Sequence, residues 1–318
     1  MSGPFFSVGV TTYQRPRLLD ACIRSIVAQS FSDFEVVVGN NDTTQPVGPF
    51  DDSRVRVINR PENLGQIGNM NALLDESRGR YFTWLADDDA YDSRFLESVF
   101  DAIRRHRHPL CVFTGYQFGE SMSAGRGEAE SEMIDGGDFV SRFASRELKV
   151  LGCYGVWSRR LLVSFGGMLS HADSSLYSDH SLALKASLLP QVAFVSRELV
   201  LFRKHETSYS YSGIEVEQLA ASQDSFMRAG NATVRQSLEG RQAGLIRFGL
   251  LRWCIDDTCG LVVRSGAQAG LLLRIGVKWM VHGMRLLWPD LMVRAAVYTV
   301  VRLGRTVARI WMGDRVRA

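Results

Sequence analysis

A chain of 318 residues is long enough for one large domain or two smaller ones, and 46% hydrophobic with 22% charged residues is a globular composition that excludes disorder as the default. A formal net charge of +3 is too small to argue for a nucleic-acid partner. No stretch of about 18 uninterrupted apolar residues exists, which excludes an ordinary membrane span. The five cysteines are odd in number and lack metal-ligand spacing, so they read as free thiols in a reducing compartment. MSGPFFSVGV has neither the basic segment nor the long apolar run of a secretory signal, and the expectation is a cytoplasmic protein.

In chain order, FSVGVTT (Phe6 to Thr12) predicts a first strand. Pro16 then suits a first helical turn, and Leu18, Leu19, Cys22, Ile23, Ile26 and Val27 recur at helical spacing to about Gln29. The β-branched run Phe34 to Gly39 predicts a second strand, which ends in the polar loop Asn40 to Thr44. Val55 to Asn59 predicts a third strand, and Gly68 to Glu76 a helix after the turn at Asn63 to Gly65. Tyr81 to Leu85 predicts a buried strand that runs into Asp87, Asp88 and Asp89, and Asp92 is placed to cap a helix bearing Phe95, Leu96, Val99, Phe100 and Ile103. Strands alternating with helices predict a parallel, nucleotide-binding α/β sheet flanked by helices.

Leu110 to Phe118 predicts a further strand, and Gly119 to Gly137, rich in Gly, Ser and Glu, a surface loop. A short helix is expected over Asp138 to Ser145, a turn at Gly166 to Met168, a helix opening at Ser178 with Leu182, Leu184 and Leu188, and an extended run over Val192 to Val200. An α/β unit at residues 1–211 and a mainly helical, basic extension at 212–318 are the expected organisation, with Pro289 separating two helices of the extension. From Arg241 onward, 13 Lys or Arg stand against four acids, with Trp253, Trp279, Trp288 and Trp311 among them. That pattern suits helices lying in a membrane interface; a solvated basic face and an oligomer interface are the other readings of it.

The acidic cluster carries chemistry. A buried strand that delivers carboxylates at its C-terminal end is where α/β sheets bind ligands. Adjacent acids repel one another unless a cation or donor groups offset the charge, and carboxylate oxygens suit Mg²⁺ or Mn²⁺, particularly when a substrate phosphate supplies the other ligands. A solvated acidic turn is the alternative for three such residues taken alone.

Four segments in order resemble the family 2 glycosyltransferases, inverting enzymes of the GT-A fold, including those that build bacterial surface polysaccharides. They are TTYQRPRLLDACIRSIVAQSFSDFEVVVGNND, NLGQIGNMNALLDESRGRYFTWLADDD, YSDHSLALK and LVLFRKHETSYS, spread over roughly the first 210 residues. The resemblance implies that Thr11, Thr12, Tyr13 and Arg15 lie over the base and ribose of a nucleotide-diphosphate sugar, with Asn40 and Asp42 at the base. It sets Asn63, Gly65, Asn69 and Asn71 near the nucleotide and diphosphate, and Asp87 at the ribose. Asp88 is implied as the carboxylate that binds a divalent metal, Mn²⁺ or Mg²⁺, with Asp89 and His205 as further metal ligands and Arg203 on the diphosphate. Asp179 is implied as the base, and Tyr154, Trp157 and Gly166 to Met168 as the acceptor side. The chain departs from the family pattern at Asn40, Ala86 and Ser178, where an acid is usual.

Together these imply an inverting, metal-dependent glycosyltransferase that moves a sugar from a nucleotide donor to a glycan or lipid-linked glycan, at the cytoplasmic face of the membrane, alone or as a homo-oligomer. A sugar nucleotidyltransferase would open with a glycine-rich phosphate loop, and TTYQRPR has no glycine. A noncatalytic sugar-nucleotide-binding or membrane-associated partner of a transferase is the third reading, and Asn40 and Ser178 are its support.

Overall fold

The computed structural model describes residues 3–123, 130–203, 215–265 and 289–316. The β-branched and aromatic runs form strands β1 (Phe6–Thr12), β2 (Phe34–Asn40), β3 (Val55–Asn59) and β4 (Tyr81–Ala86). They pair in parallel, in the order β3-β2-β1-β4. Helix α1 (Pro16–Val27) buries Leu19, Cys22, Ile23 and Ile26, the stripe that the sequence periodicity marks. Helix α2 (Gly65–Glu76) starts three residues earlier than expected, because Gly65 takes a φ of 69°, a left-handed turn that glycine makes without a side-chain penalty.

Beyond β4 the sheet becomes mixed, with both parallel and antiparallel pairs. The chain adds β5 (Ala90–Tyr91), α3 (Phe95–Arg105), β6 (Cys111–Gly119), β7 (Ser131–Asp135), α4 (Gly136–Ala144), β8 (Val156–Ser158), α5 (Arg159–Ser164), α6 (Ser178–Leu184) and β9 (Gln191–Arg203). The sheet continues β4-β8-β6-β9-β5, with β7 on the side of β9. Two local expectations need correction. The loop expected over Gly119 to Gly137 contains β7, a polar strand that pairs antiparallel with β9; residues 124–129 lie outside the described part. Asp92 does not cap α3 directly: its carboxylate accepts from the Arg94 amide at 2.9 Å, one turn before the helix.

The helices α7 (Val216–Ser237) and α8 (Gly240–Ser265) pack on α6 and α4, and α9 (Pro289–Val316) packs on α8. Pro289 opens α9, where a missing backbone donor costs nothing. Phe226, Trp253 and Cys254 of α7 and α8 are buried in one continuous core with Phe139, Phe143 and Leu182 of the sheet domain. The expected division at residue 211 falls outside the described residues. All five cysteines are free and buried. Among the described residues no helix is long and apolar enough to cross a membrane.

Candidate active site

Parallel pairing decides where the polar residues gather. Thr12 on β1 sits opposite Asn40 on β2, and Thr11 opposite Ala86 on β4, so the loops after these three strands open at one edge of the sheet. A cavity of about 760 Å³ lies there. Thr11, Thr12, Tyr13, Arg15, Asn63, Gly65, Asn69, Asp87, Asp88, Asp89 and Asp179 all line it, so residues from four distant segments do converge.

The acidic cluster is differentiated. Asp87 is buried; it accepts from Thr12 Oγ1 at 2.6 Å and faces Arg15 Nη1 at 3.5 Å. Burial pushes its carboxyl up to about 6, with the charge of Asp88 adding to the rise and the Thr12 bond opposing it. Asp88 is the most accessible of the three and meets Arg15 Nη1 at 2.9 Å. Asp89 turns inward: the Tyr154 hydroxyl donates to one oxygen, and the Arg203 amide donates to the other at 2.7 Å. Burial and then the Asp88 charge raise its carboxyl to about 7. Asp89 therefore anchors β9 to the cluster rather than opening beside Asp88.

The donor chemistry fits a divalent ion. Asp87 and Asp88 offer hard carboxylate oxygens side by side, and the positive charge they require is supplied here by Arg15. Among the described residues no three His, Cys, Asp or Glu converge as a ready-made cage, so an ion at Asp88 would complete its shell with phosphate oxygens and water. His205 lies outside the described residues.

Asp179 stands in the first turn of α6, where its Oδ1 accepts from the Cys153 amide at 2.9 Å. Burial raises its carboxyl above the ordinary range, and the bonds from Cys153 act against the rise. The residue before the helix, Tyr177, is held at a φ of 64°, a conformation unfavourable for a bulky side chain. Two contacts from α7 hold it there. Its ring stacks on Phe226 at 4.7 Å, and Gln223 Nε2 reaches its hydroxyl at 3.1 Å. Gln223 also reaches the Cys254 carbonyl of α8 at 2.9 Å, so the C-terminal helices set the start of α6. Ser178, where the family pattern has an acid, donates its hydroxyl to the Leu169 carbonyl and so serves the turn.

Three expected substrate residues are placed elsewhere. Asn40 is buried and its amide is used within the loop, reaching Gln45 O at 2.8 Å and Asn59 Oδ1 at 2.9 Å while accepting from the Asp42 amide at 3.0 Å. Asp42 accepts from the Thr44 amide and hydroxyl, which hold its carboxyl below the usual range. Trp157 is fully buried against Phe113, and its Nε1 donates to Gly152 O at 3.2 Å, because an inward position on a central strand is filled by the largest apolar ring.

Arg203 presents its backbone to Asp89, while its buried Nε has no partner among the described residues. Sequence reasoning passed over Asn41, which lines the cavity and bonds Gly65 O at 2.9 Å, and Tyr177. The Asn-rich signal was present; which Asn faces inward depends on strand register. Asn69 donates to the Gly39 carbonyl at 2.7 Å, and Asn71 exchanges two bonds with Met168, at 3.0 and 2.9 Å, fixing the glycine turn to α2.

Residues 7–152 match the sequence profile of Glycosyl transferase family 2. Residues 7–152 thus carry the sequence pattern of that family, and the sheet with its flanking helices is the GT-A fold. The chain is 24% identical over 217 residues to glycosyltransferase GlyA of Streptococcus pneumoniae, covering 64% of this chain and 31% of that protein. It is 34% identical over 103 residues to the Campylobacter jejuni GalNAc(5)-diNAcBac-PP-undecaprenol beta-1,3-glucosyltransferase, covering 30% of this chain and 33% of that one. The chain thus spans about a third of the length of these relatives. Among solved structures, S. aureus TarS 1-349 in complex with UDP-GlcNAc superimposes with a TM-score of 0.69 at 14% identity, over 97% of this chain and 92% of that one. That likeness, which extends through the C-terminal helices, is one of fold.

Proposed function

We propose that this chain is an inverting glycosyltransferase that moves a sugar from a nucleotide-diphosphate donor to a hydroxyl of a glycan or lipid-linked glycan, in bacterial cell-surface polysaccharide synthesis. The observation that carries it is one cleft lined by both a half-buried carboxylate with a raised pKa, Asp179, and the Asp87–Asp88–Arg15 group at the ends of parallel strands. A carboxylate shifted toward neutrality is a better base near physiological pH. Asp179 takes the proton of the acceptor hydroxyl, and that oxygen forms a bond to the anomeric carbon. The bond from that carbon to the diphosphate oxygen breaks on the opposite face, and the electron pair leaves with the nucleoside diphosphate. One displacement inverts the configuration without a covalent enzyme intermediate.

Thr12 and Asp87 orient the donor beside Arg15, Asn41 and Asn63 complete its pocket, and Asp88 would hold a divalent ion with Asp87 beside it. Such an ion, when bound, neutralises charge on the leaving diphosphate. Arg203 and, beyond the described residues, His205 are assigned to the diphosphate side. Support for a peripheral membrane position comes from α9, which exposes Val293, Val297, Val300 and Val301, three of them along a groove with Arg294 and Arg305. The test is turnover: release of nucleoside diphosphate from a donor panel by the full chain, compared with Asp179→Asn. Loss of about a hundredfold or more is expected for a removed general base; equal rates would sink the assignment.

A further inference from the structure

The cavity has a second lining that the donor chemistry leaves unused. Tyr116 and Phe118 alternate to the same side of β6, and Phe202 on β9 is the direct register partner of Phe118. Their rings meet at 5.1 Å (Tyr116 to Phe118), 5.0 Å (Phe118 to Phe202) and 6.2 Å (Tyr116 to Phe202), edge to face or tilted rather than stacked face on face. All three line the same cavity as Asp179 and the acidic cluster, and Phe118 is 60% exposed. The next residue after Phe202 is Arg203, whose amide is bonded to Asp89, so the aromatic group is tied to the acidic cluster through one strand.

An aromatic cluster left open to water inside a polar cleft is suited to a ligand that carries both apolar faces and hydroxyl groups. We propose that Tyr116, Phe118 and Phe202 form a platform on which a pyranose ring of the acceptor stacks, presenting its hydroxyl toward Asp179. This rests on the reading of the cavity as a glycosyltransferase site, and it adds that the acceptor's reacting end is a sugar ring rather than a simple lipid alcohol. A hydrocarbon chain would be served by aromatic rings alone. The polar groups that share the cleft outside the proposed donor pocket, Gln66 and Ser175, match the hydroxyl rim of a sugar.

The test uses the full chain and saturation-transfer NMR. The probes are methyl β-glycosides of glucose, galactose and N-acetylglucosamine, with 1-hexanol as the lipid-alcohol control, each with saturating UDP, dTDP or GDP in turn. Ring protons of at least one glycoside should receive saturation from the wild type, by at least about fivefold more than from Phe118→Ala, with Phe118→Trp restoring the signal. Melting temperature and affinity for a panel of UDP-, dTDP- and GDP-sugars should not differ between wild type and Phe118→Ala, since Phe118 is largely exposed. No glycoside signal with wild type, an equal signal with Phe118→Ala, loss of donor affinity together with the glycoside signal, or a Phe118-dependent signal from hexanol instead would each overturn the proposal. A failure of the parent reading is distinguishable, because it appears as absence of donor binding by the wild type.

Discussion

His171 ties α6, the helix of Asp179, to the C-terminal helices, and it should make that link acid-labile. Its ring nitrogens face Ser181 Oγ on α6 at 2.7 Å and Ser225 Oγ on α7 at 3.1 Å, and the side chain is 1% exposed. Burial lowers its pKa from 6.5 to about 4. The folded state therefore keeps the ring neutral while the unfolded chain binds a proton, so stability is present above the unfolded value and is lost as pH falls through 6.5 toward about 4. Between about pH 7.5 and about pH 5 the unfolded state gains most of one proton, a loss of ~2 kcal/mol from this side chain. Urea unfolding of wild type and His171→Gln at these two pH values isolates the term. The wild type should lose ~2 kcal/mol more than the variant on acidification. An equal pH-dependent loss in both proteins would refute the reasoning.

A β-carbon at Gly152 would press on the Asp179 backbone carbonyl, so Gly152→Ala should displace Asp179, the proposed base; a destabilisation of about 1–3 kcal/mol and a fall in kcat larger than any change in donor affinity are expected in stopped-flow and unfolding assays. Asn71→Ala removes both bonds to Met168 and should cost about 1–3 kcal/mol in thermal unfolding while leaving helix content unchanged by circular dichroism. On α9, the pair Val297→Asp and Val300→Asp should reduce sedimentation with anionic vesicles, but not with neutral ones, at an unchanged melting temperature, since both side chains are exposed.

β1, β2 and β4 were legible because β-branched or aromatic runs buried on both faces leave little ambiguity, and the half-buried β3 also forms where its β-branched pattern predicts it. β7 was hidden: SEMID is polar enough to read as loop, and only pairing with β9 makes it a strand. The acidic cluster and Asp179 could be found from their motifs, but their division of labour could not. Asp89 is turned inward by Tyr154, 65 residues away in sequence, and no local pattern encodes that bond. Asn40 and Trp157 are a different case. Each has the right chemistry for a ligand contact, yet strand register and core packing spend that chemistry inside the protein. Tyr177 has no sequence signature as a helix start; its left-handed backbone is held by Phe226 and Gln223 on a helix almost 50 residues later.

Donor binding tests the central claim most directly. Calorimetric titration of UDP-, dTDP- and GDP-sugars into the full chain, with Mn²⁺ and again with chelator, should give saturable binding of one donor class that weakens at least about tenfold on chelation and in Asp88→Ala, the residue proposed to hold the ion. Binding of no donor by the folded wild type, or equal affinity in Asp88→Ala with and without metal, would contradict the account.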